Sequence, residues 1–179
     1  MTTDFSTTLA IGQVGEGRIA TWLRRKNWSV LPVYEVEMGS GKGPRLFTPI
    51  RPLIATDLFA FNRDRALWIE AKTKTVFTWH RITSEWQTGI DLRHYRDYLH
   101  VDDCTPWPVW LMFLHTESRP SPCDRGYCPD MCPTGLYGDE LGKLRKCESH
   151  RSDKHGPSGM VYWSIGSLRK LAELCEVPS

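Results

Sequence analysis

The sequence predicts an α/β protein with an αβββαβ core built around a central mixed sheet. Three features carry that expectation. An amphipathic helix comes early, three strand-like runs follow it, and a second helical stretch leads into WPVWLMFLH (107–115), a run apolar enough to be buried on both faces.

Residues Leu9 to Lys26 read as the first helix. Glu16, Ile19, Ala20 and Leu23 fall at i, i+3, i+4 and i+7 and share one face, so Glu16 projects from the core-facing side. Asn27 and Trp28 end it, and SVLPVYEVE (29–37) follows as a strand. GSGKGPRLFTPIRP (39–52) reads as a long loop, and its Gly-Lys-Gly lacks the spacing of a phosphate loop. IATDLFAF (54–61) and ALWIEAKT (66–73) are two strands joined by NRDR, a hairpin turn by composition. A helix is expected over 85–100, then the strand 107–115. Residues 117–159 are Cys- and Pro-rich without periodicity, after which MVYWSI (160–165) reads as a strand and Ser167 caps a final helix, LRKLAELC. The expected organisation is a core over 1–116, a Cys-rich insertion over 117–159, and a terminal strand and helix over 160–179 that complete the core.

A length of 179 residues suits one domain with a conventional hydrophobic core, and a net charge of +2 singles out no partner class by itself. The first residues lack the basic-then-apolar pattern of a signal peptide, and no run is long enough for a membrane span. A cytoplasmic protein is expected. There, six cysteines point to free or metal-bound thiols rather than disulfides.

The chemistry centres on LWIEAKTK (67–74). Strand alternation puts Trp68, Glu70 and Lys72 on one face and Leu67, Ile69 and Ala71 on the other. A hairpin with the preceding strand would set Asp57, thirteen residues earlier, beside Glu70. Two adjacent carboxylates repel unless a positive charge lies between them, and a divalent cation with oxygen ligands answers that need. Such an ion can activate water and stabilise charge on a phosphate, with Lys72 orienting the water or stabilising the transition state.

Glu16, then Asp57, then Glu70-Ala71-Lys72, on an αβββαβ pattern over roughly residues 9–115, resembles the PD-(D/E)XK nuclease superfamily, which includes restriction endonucleases, Holliday-junction resolvases and phage exonucleases. The resemblance implies a restriction-endonuclease-like fold. It also implies Mg²⁺ or Mn²⁺ held by Glu16, Asp57, Glu70 and the carbonyl of Ala71, with Lys72 assisting the attacking water. Thr56 stands where the family motif has proline. Gln87, expected at the start of the helix after the Glu-x-Lys strand, is an active-site candidate by the same resemblance, with a helix cap as the alternative. His94, farther along, is either a phosphate contact or a surface histidine.

Cys123, Cys128, Cys132 and Cys147 follow the spacing C-x4-C-x3-C-x14-C in a segment with few apolar residues. Four thiolates suit a tetrahedral structural zinc, which would supply the folding energy the segment lacks. His150, His155 or His115 could replace one cysteine, and an iron–sulfur cluster is the alternative occupant.

The expected function is a Mg²⁺- or Mn²⁺-dependent nuclease acting on DNA, free of the membrane, with a homodimer left open. Lys42, Arg45 and Arg51 of the loop, and Arg24 and Arg25 of the first helix beside Arg18 and Lys26, are the candidate phosphate contacts. The competing class is a catalytically inactive nucleic-acid-binding or assembly protein on the same fold with a structural zinc. Endo- against exonuclease action and substrate preference are not written in these residues.

Overall fold

A computed structural model describes residues 5–33 and 44–179, with side chains of the first helix described from Val14 onward. In chain order the elements are α1 (Phe5–Arg25), β1 (Ser29–Pro32), β2 (Arg45–Phe47), β3 (Pro52–Ile54), β4 (Leu58–Phe61) and β5 (Ala66–Lys74). Then come β6 (Thr78–His80), β7 (Glu85–Asp91), α2 (Leu92–Cys104), β8 (Val109–His115) and β9 (Gly135–Glu140). The chain continues with α3 (Leu141–Leu144), β10 (His150–Ser152), β11 (Met160–Ser164) and β12 (Arg169–Ala172). No helix among the described residues is long and apolar enough to cross a membrane.

Six strands make a mixed sheet in the order β1-β4-β5-β8-β9-β12. Among the described residues only β5 and β8 run parallel, and α2 lies on the crossover between them. The series α1, β1, β4, β5, α2, β8 is the expected αβββαβ order, with the β2–β3 and β6–β7 hairpins inserted. A second sheet, β10-β11-β7-β6, is antiparallel throughout.

Alternation along β5 explains the layering. Leu67, Ile69 and Ala71 point to one side, where Ile19, Trp22 and Leu23 of α1 join Leu58, Ala60, Met112, Leu114 and Leu136. On the other side Leu111 and Phe113 of β8 meet Tyr95, Tyr98 and Val101 of α2 and Trp86, Ile90, Val161 and Trp163 of the second sheet. Each fully buried aliphatic or aromatic side chain contributes about 1.5–3 kcal/mol. α1 stops where expected: Asn27 takes a left-handed φ of 63° and the Trp28 amide donates to the Leu23 carbonyl.

Four expectations are corrected. Residues 85–91 are strand β7, not helix. Trp86, Thr88 and Ile90 alternate inward, Gly89 lies under the Tyr162 ring, and helix α2 starts only at its N-cap Asp91, whose carboxylate accepts from the Arg93 and His94 amides. LRKLAELC is not a helix either; Arg169–Ala172 pairs with β9, which would otherwise be an open edge. Gly135, at φ 123°, allows this pairing, because a Cβ there would stand 2.6 Å from the Ala172 carbonyl oxygen. The loop over 39–52 contains the β2–β3 hairpin in its second half, and Lys42 lies outside the described residues. Residues 117–159, expected as irregular, supply β9, α3 and β10. There Leu136, Leu141 and Leu144 are buried, so apolar packing folds this segment into the body.

Candidate active site

The β4–β5 ladder pairs Leu58 with Ile69 and Phe59 with Trp68, so the next step of the register sets Asp57 against Glu70. Asp57 is fixed by the Ala71 amide, which donates to its Oδ2 at 2.9 Å. Glu70 is 1% exposed, and neither of its carboxylate oxygens has a hydrogen-bond partner of normal geometry. Lys72, two residues on and on the same face, ion-pairs with Glu70 Oε1 and stands 3.9 Å from Asp57 Oδ2. The protein's own ammonium group thus provides the positive charge between the two carboxylates.

The electrostatics follow from burial. Desolvation, then the charge of Glu70, pushes the Asp57 carboxyl up to about 7. Glu16, half-buried on α1, is also pushed up to about 7, by desolvation first and by Asp57 second, with Lys72 opposing. Burial disfavours the charged form of Lys72, but Glu70 and Asp57 together reverse that and hold its proton more tightly than usual. Glu16, Asp57, Glu70 and Lys72 therefore lie close enough to shift one another's protonation.

α1 is held against β5 by a close approach that a larger residue would break. A Cβ on Gly15 would stand 1.4 Å from Thr73 Oγ1. Gly15→Ala is expected to cost about 1–3 kcal/mol in urea unfolding by forcing the helix away from the strand. It would also move the neighbouring Glu16, so any activity should fall more than stability alone explains. An unchanged unfolding midpoint would contradict this packing.

Three further residues lie on the same side; Tyr98 and Lys74 were not foreseen there, and His94 was expected as either a phosphate contact or a surface histidine. Tyr98 of α2 is buried, and desolvation followed by the charges of Glu70 and Asp57 raises its phenol well above the usual range. His94, one turn earlier, is lowered by burial and then by Lys72. Lys74 is lowered by burial and by Lys72. The available signal was the i, i+4 spacing of His94 and Tyr98 behind the Asp91 cap, hidden while the helix was expected to start at 85.

Other candidates are not brought to this cluster. Gln87 sits inside β7, where its Nε2 donates to Ser149 Oγ at 2.7 Å. Arg51 pairs with Asp97 of α2, which also accepts the Ile54 amide and anchors the β2–β3 hairpin; Arg45 opens β2. Arg24 and Arg25 are exposed in the last turn of α1, favourably placed at the negative end of the helix dipole. Arg18 donates to the Pro178 carbonyl at 2.6 Å and ties α1 to the C-terminal segment.

Among the described residues, no three His, Cys, Asp or Glu side chains are grouped so as to hold a metal ion. The expected zinc set is thus not gathered. Cys132 is buried, with its sulfur accepting the Phe77 amide, while Cys123 and Cys147 are exposed. Of the proposed replacements, His115 is buried against Phe77, and His150 stacks between His80 and Tyr162. His155 meets the Tyr162 hydroxyl at 2.8 Å. For Mg²⁺ or Mn²⁺ no third acidic ligand is gathered at Asp57 and Glu70 among the described residues, but the donor chemistry of these two fits: they are opposed carboxylates, Glu70 is buried, and its Oε1 is held only by Lys72. Lys72 would have to swing aside to admit the ion.

No protein-family profile and no curated protein matches this sequence. Among solved structures, it is similar to a Holliday junction resolvase from the archaeal hyperthermophile Archaeoglobus fulgidus, at 9% identity and a TM-score of 0.46, over 84% of this chain and 86% of that one. It is also similar to a nuclease from a fusselovirus, at 12% identity and a TM-score of 0.42, over 98% of this chain and 90% of that one.

Proposed function

We propose that the protein is a divalent-metal-dependent nuclease that hydrolyses phosphodiester bonds in DNA in the cytoplasm. One observation carries the reading: Asp57, Glu70 and Lys72 converge on one face of adjacent strands, with Glu16 approaching from α1. Two opposed carboxylates beside a lysine are costly to bury, and a core selected for packing alone would not hold them.

Asp57 and Glu70 would hold Mg²⁺ or Mn²⁺, with the Ala71 carbonyl and Glu16 as further oxygen donors. When bound, the ion supplies Lewis-acid stabilisation of the phosphate and a more acidic water. The chain's own groups do the rest. The Ala71 amide fixes Asp57, burial orients Glu70, and Lys72, freed from between the carboxylates, presents its ammonium to the water or to the phosphate oxygens. His94 and Lys74 flank Lys72 and would add donors toward a bound phosphate.

The test is a panel of linear, circular, single-stranded and branched DNA with Mg²⁺ or Mn²⁺. Cleavage that EDTA abolishes and fresh metal restores is the expected result. One feature favours a second reading, a non-catalytic nucleic-acid-binding protein: Lys72 already occupies the space between the carboxylates. Binding without cleavage in either ion would establish that alternative.

A further inference from the structure

Next to the carboxylates, on the same sheet face, lies an aromatic surface that the cleavage chemistry does not use. Alternation from Asp57 brings Phe59 and Phe61 to that face of β4, and alternation from Glu70 brings Trp68 to it on β5. The Phe59 ring lies 4.7 Å from Trp68 and 5.1 Å from Trp107, and Phe61 continues the row 6.2 Å from Phe59. Phe61 is 43% exposed and Trp107 41%.

These rings are held in place. Trp107 stands between Pro106 and Pro108, whose fixed φ angles limit the backbone, and the Trp68 amide donates to the Pro108 carbonyl at 3.0 Å. The Trp68 indole donates to Thr105 Oγ1 at 3.2 Å. The NRDR turn then places exposed Arg63 just beyond Phe61, while Arg65 lies over the Trp28 ring on the side covered by α1.

We propose that this surface stacks unpaired bases of the DNA strand whose phosphate lies at Asp57, Glu70 and Lys72. The substrate class would then be DNA with unpaired nucleotides beside the cleaved bond, such as a single strand, a flap or a frayed branch. This deepens the nuclease reading and rests on it for the position of the phosphate. Rigid aromatic faces stack any base without reading its sequence, while a cation beyond them, here Arg63, takes up a backbone phosphate. Continuous duplex keeps its bases stacked on one another and offers these rings none. A second copy of the chain is a poorer occupant. Even with Leu31, which pairs with Phe59 and shares its face, the exposed apolar surface is roughly 300 Å². A standard interface needs about 800 Å² from each partner.

The test is fluorescence anisotropy in EDTA with a labelled single strand and a blunt duplex of equal length, using the full chain. Wild type is expected to bind the single strand more tightly. Phe61→Leu combined with Trp107→Leu should weaken single-strand binding about 10-fold and leave duplex binding unchanged. Phe61→Trp should keep wild-type affinity, because it restores a ring. Equal loss on both DNAs, or no loss on either, would overturn the proposal. So would a wild-type dimer, seen by light scattering, that Phe61→Leu dissociates. Because the assay excludes metal, it separates the two readings. Ring-dependent single-strand binding without cleavage under any metal would refute the nuclease and leave the platform; cleavage of blunt duplex that is indifferent to both rings would do the reverse.

Discussion

Lys72→Ala is expected to lower metal-dependent DNA cleavage by about 10²–10³-fold, the loss typical when one preorganised charge stabiliser is removed. The substitution leaves the buried Asp57–Glu70 pair without its counter-charge, so stability in EDTA should fall and bound Mg²⁺ or Mn²⁺ should restore part of it. DNA binding in EDTA should survive, because the aromatic face and the exposed arginines are untouched. Single-turnover cleavage at saturating Mg²⁺ or Mn²⁺ is the decisive measurement, since it reads the chemical step apart from binding. Undiminished cleavage would remove Lys72 from the mechanism. Loss of binding together with cleavage would instead assign it to substrate capture.

The second large effect concerns stability. An unfolded aspartate titrates near 3.9, whereas burial and then Glu70 push Asp57 up to about 7 in the native protein. Between those values the native state holds a proton that the unfolded chain has released. Stability contributed by this group is therefore complete at pH 4 and lost as pH rises toward 7. Asp57→Asn abolishes the titration, and an asparagine carbonyl can still accept the Ala71 amide. In EDTA at pH 8 the variant should be more stable than wild type by roughly 2 kcal/mol, with the difference much smaller at pH 4. Adding Mg²⁺ or Mn²⁺ at pH 8 should stabilise wild type and leave the variant unchanged. Urea melts across pH 4–8 test both statements. A wild-type midpoint that stays level over this range would refute the shift.

The parts of the site set by short-range periodicity were legible in the sequence. Alternation placed Glu70 and Lys72 together and opposite Ile69, and helical spacing placed Glu16 on the inward face of α1. The hairpin register of Asp57 followed from the NRDR turn. What failed depended on partners distant in sequence. Residues 85–91 carry spacing compatible with either period, and only pairing with β11 makes them a strand. LRKLAELC has good helix formers, yet the free edge of β9 claims Arg169–Ala172. The cysteine spacing suggested a metal-built knob because the apolar residues of that segment are few; yet its three leucines, Leu136, Leu141 and Leu144, all reach the core. Tyr98 was missed for a related reason, since a tyrosine in a helical stripe reads as packing until the strand opposite it is known.

The position of β5 has a consequence for how the protein fluctuates. It is hydrogen-bonded to β4 on one edge and β8 on the other, with α1 covering one face and α2 approaching the other. The two-stranded β2–β3 unit, by contrast, is tied to α2 through Asp97, and its residues 47–52 are largely exposed. Local opening should therefore release the hairpin long before it reaches Glu70 or Lys72, and amide hydrogens of residues 67–71 should exchange with solvent only through global unfolding. Glu70 is carried by the segment that exchanges last, and Asp57 is tied to it through the Ala71 amide, so the spacing of these two carboxylates persists through the partial openings that the rest of the molecule undergoes.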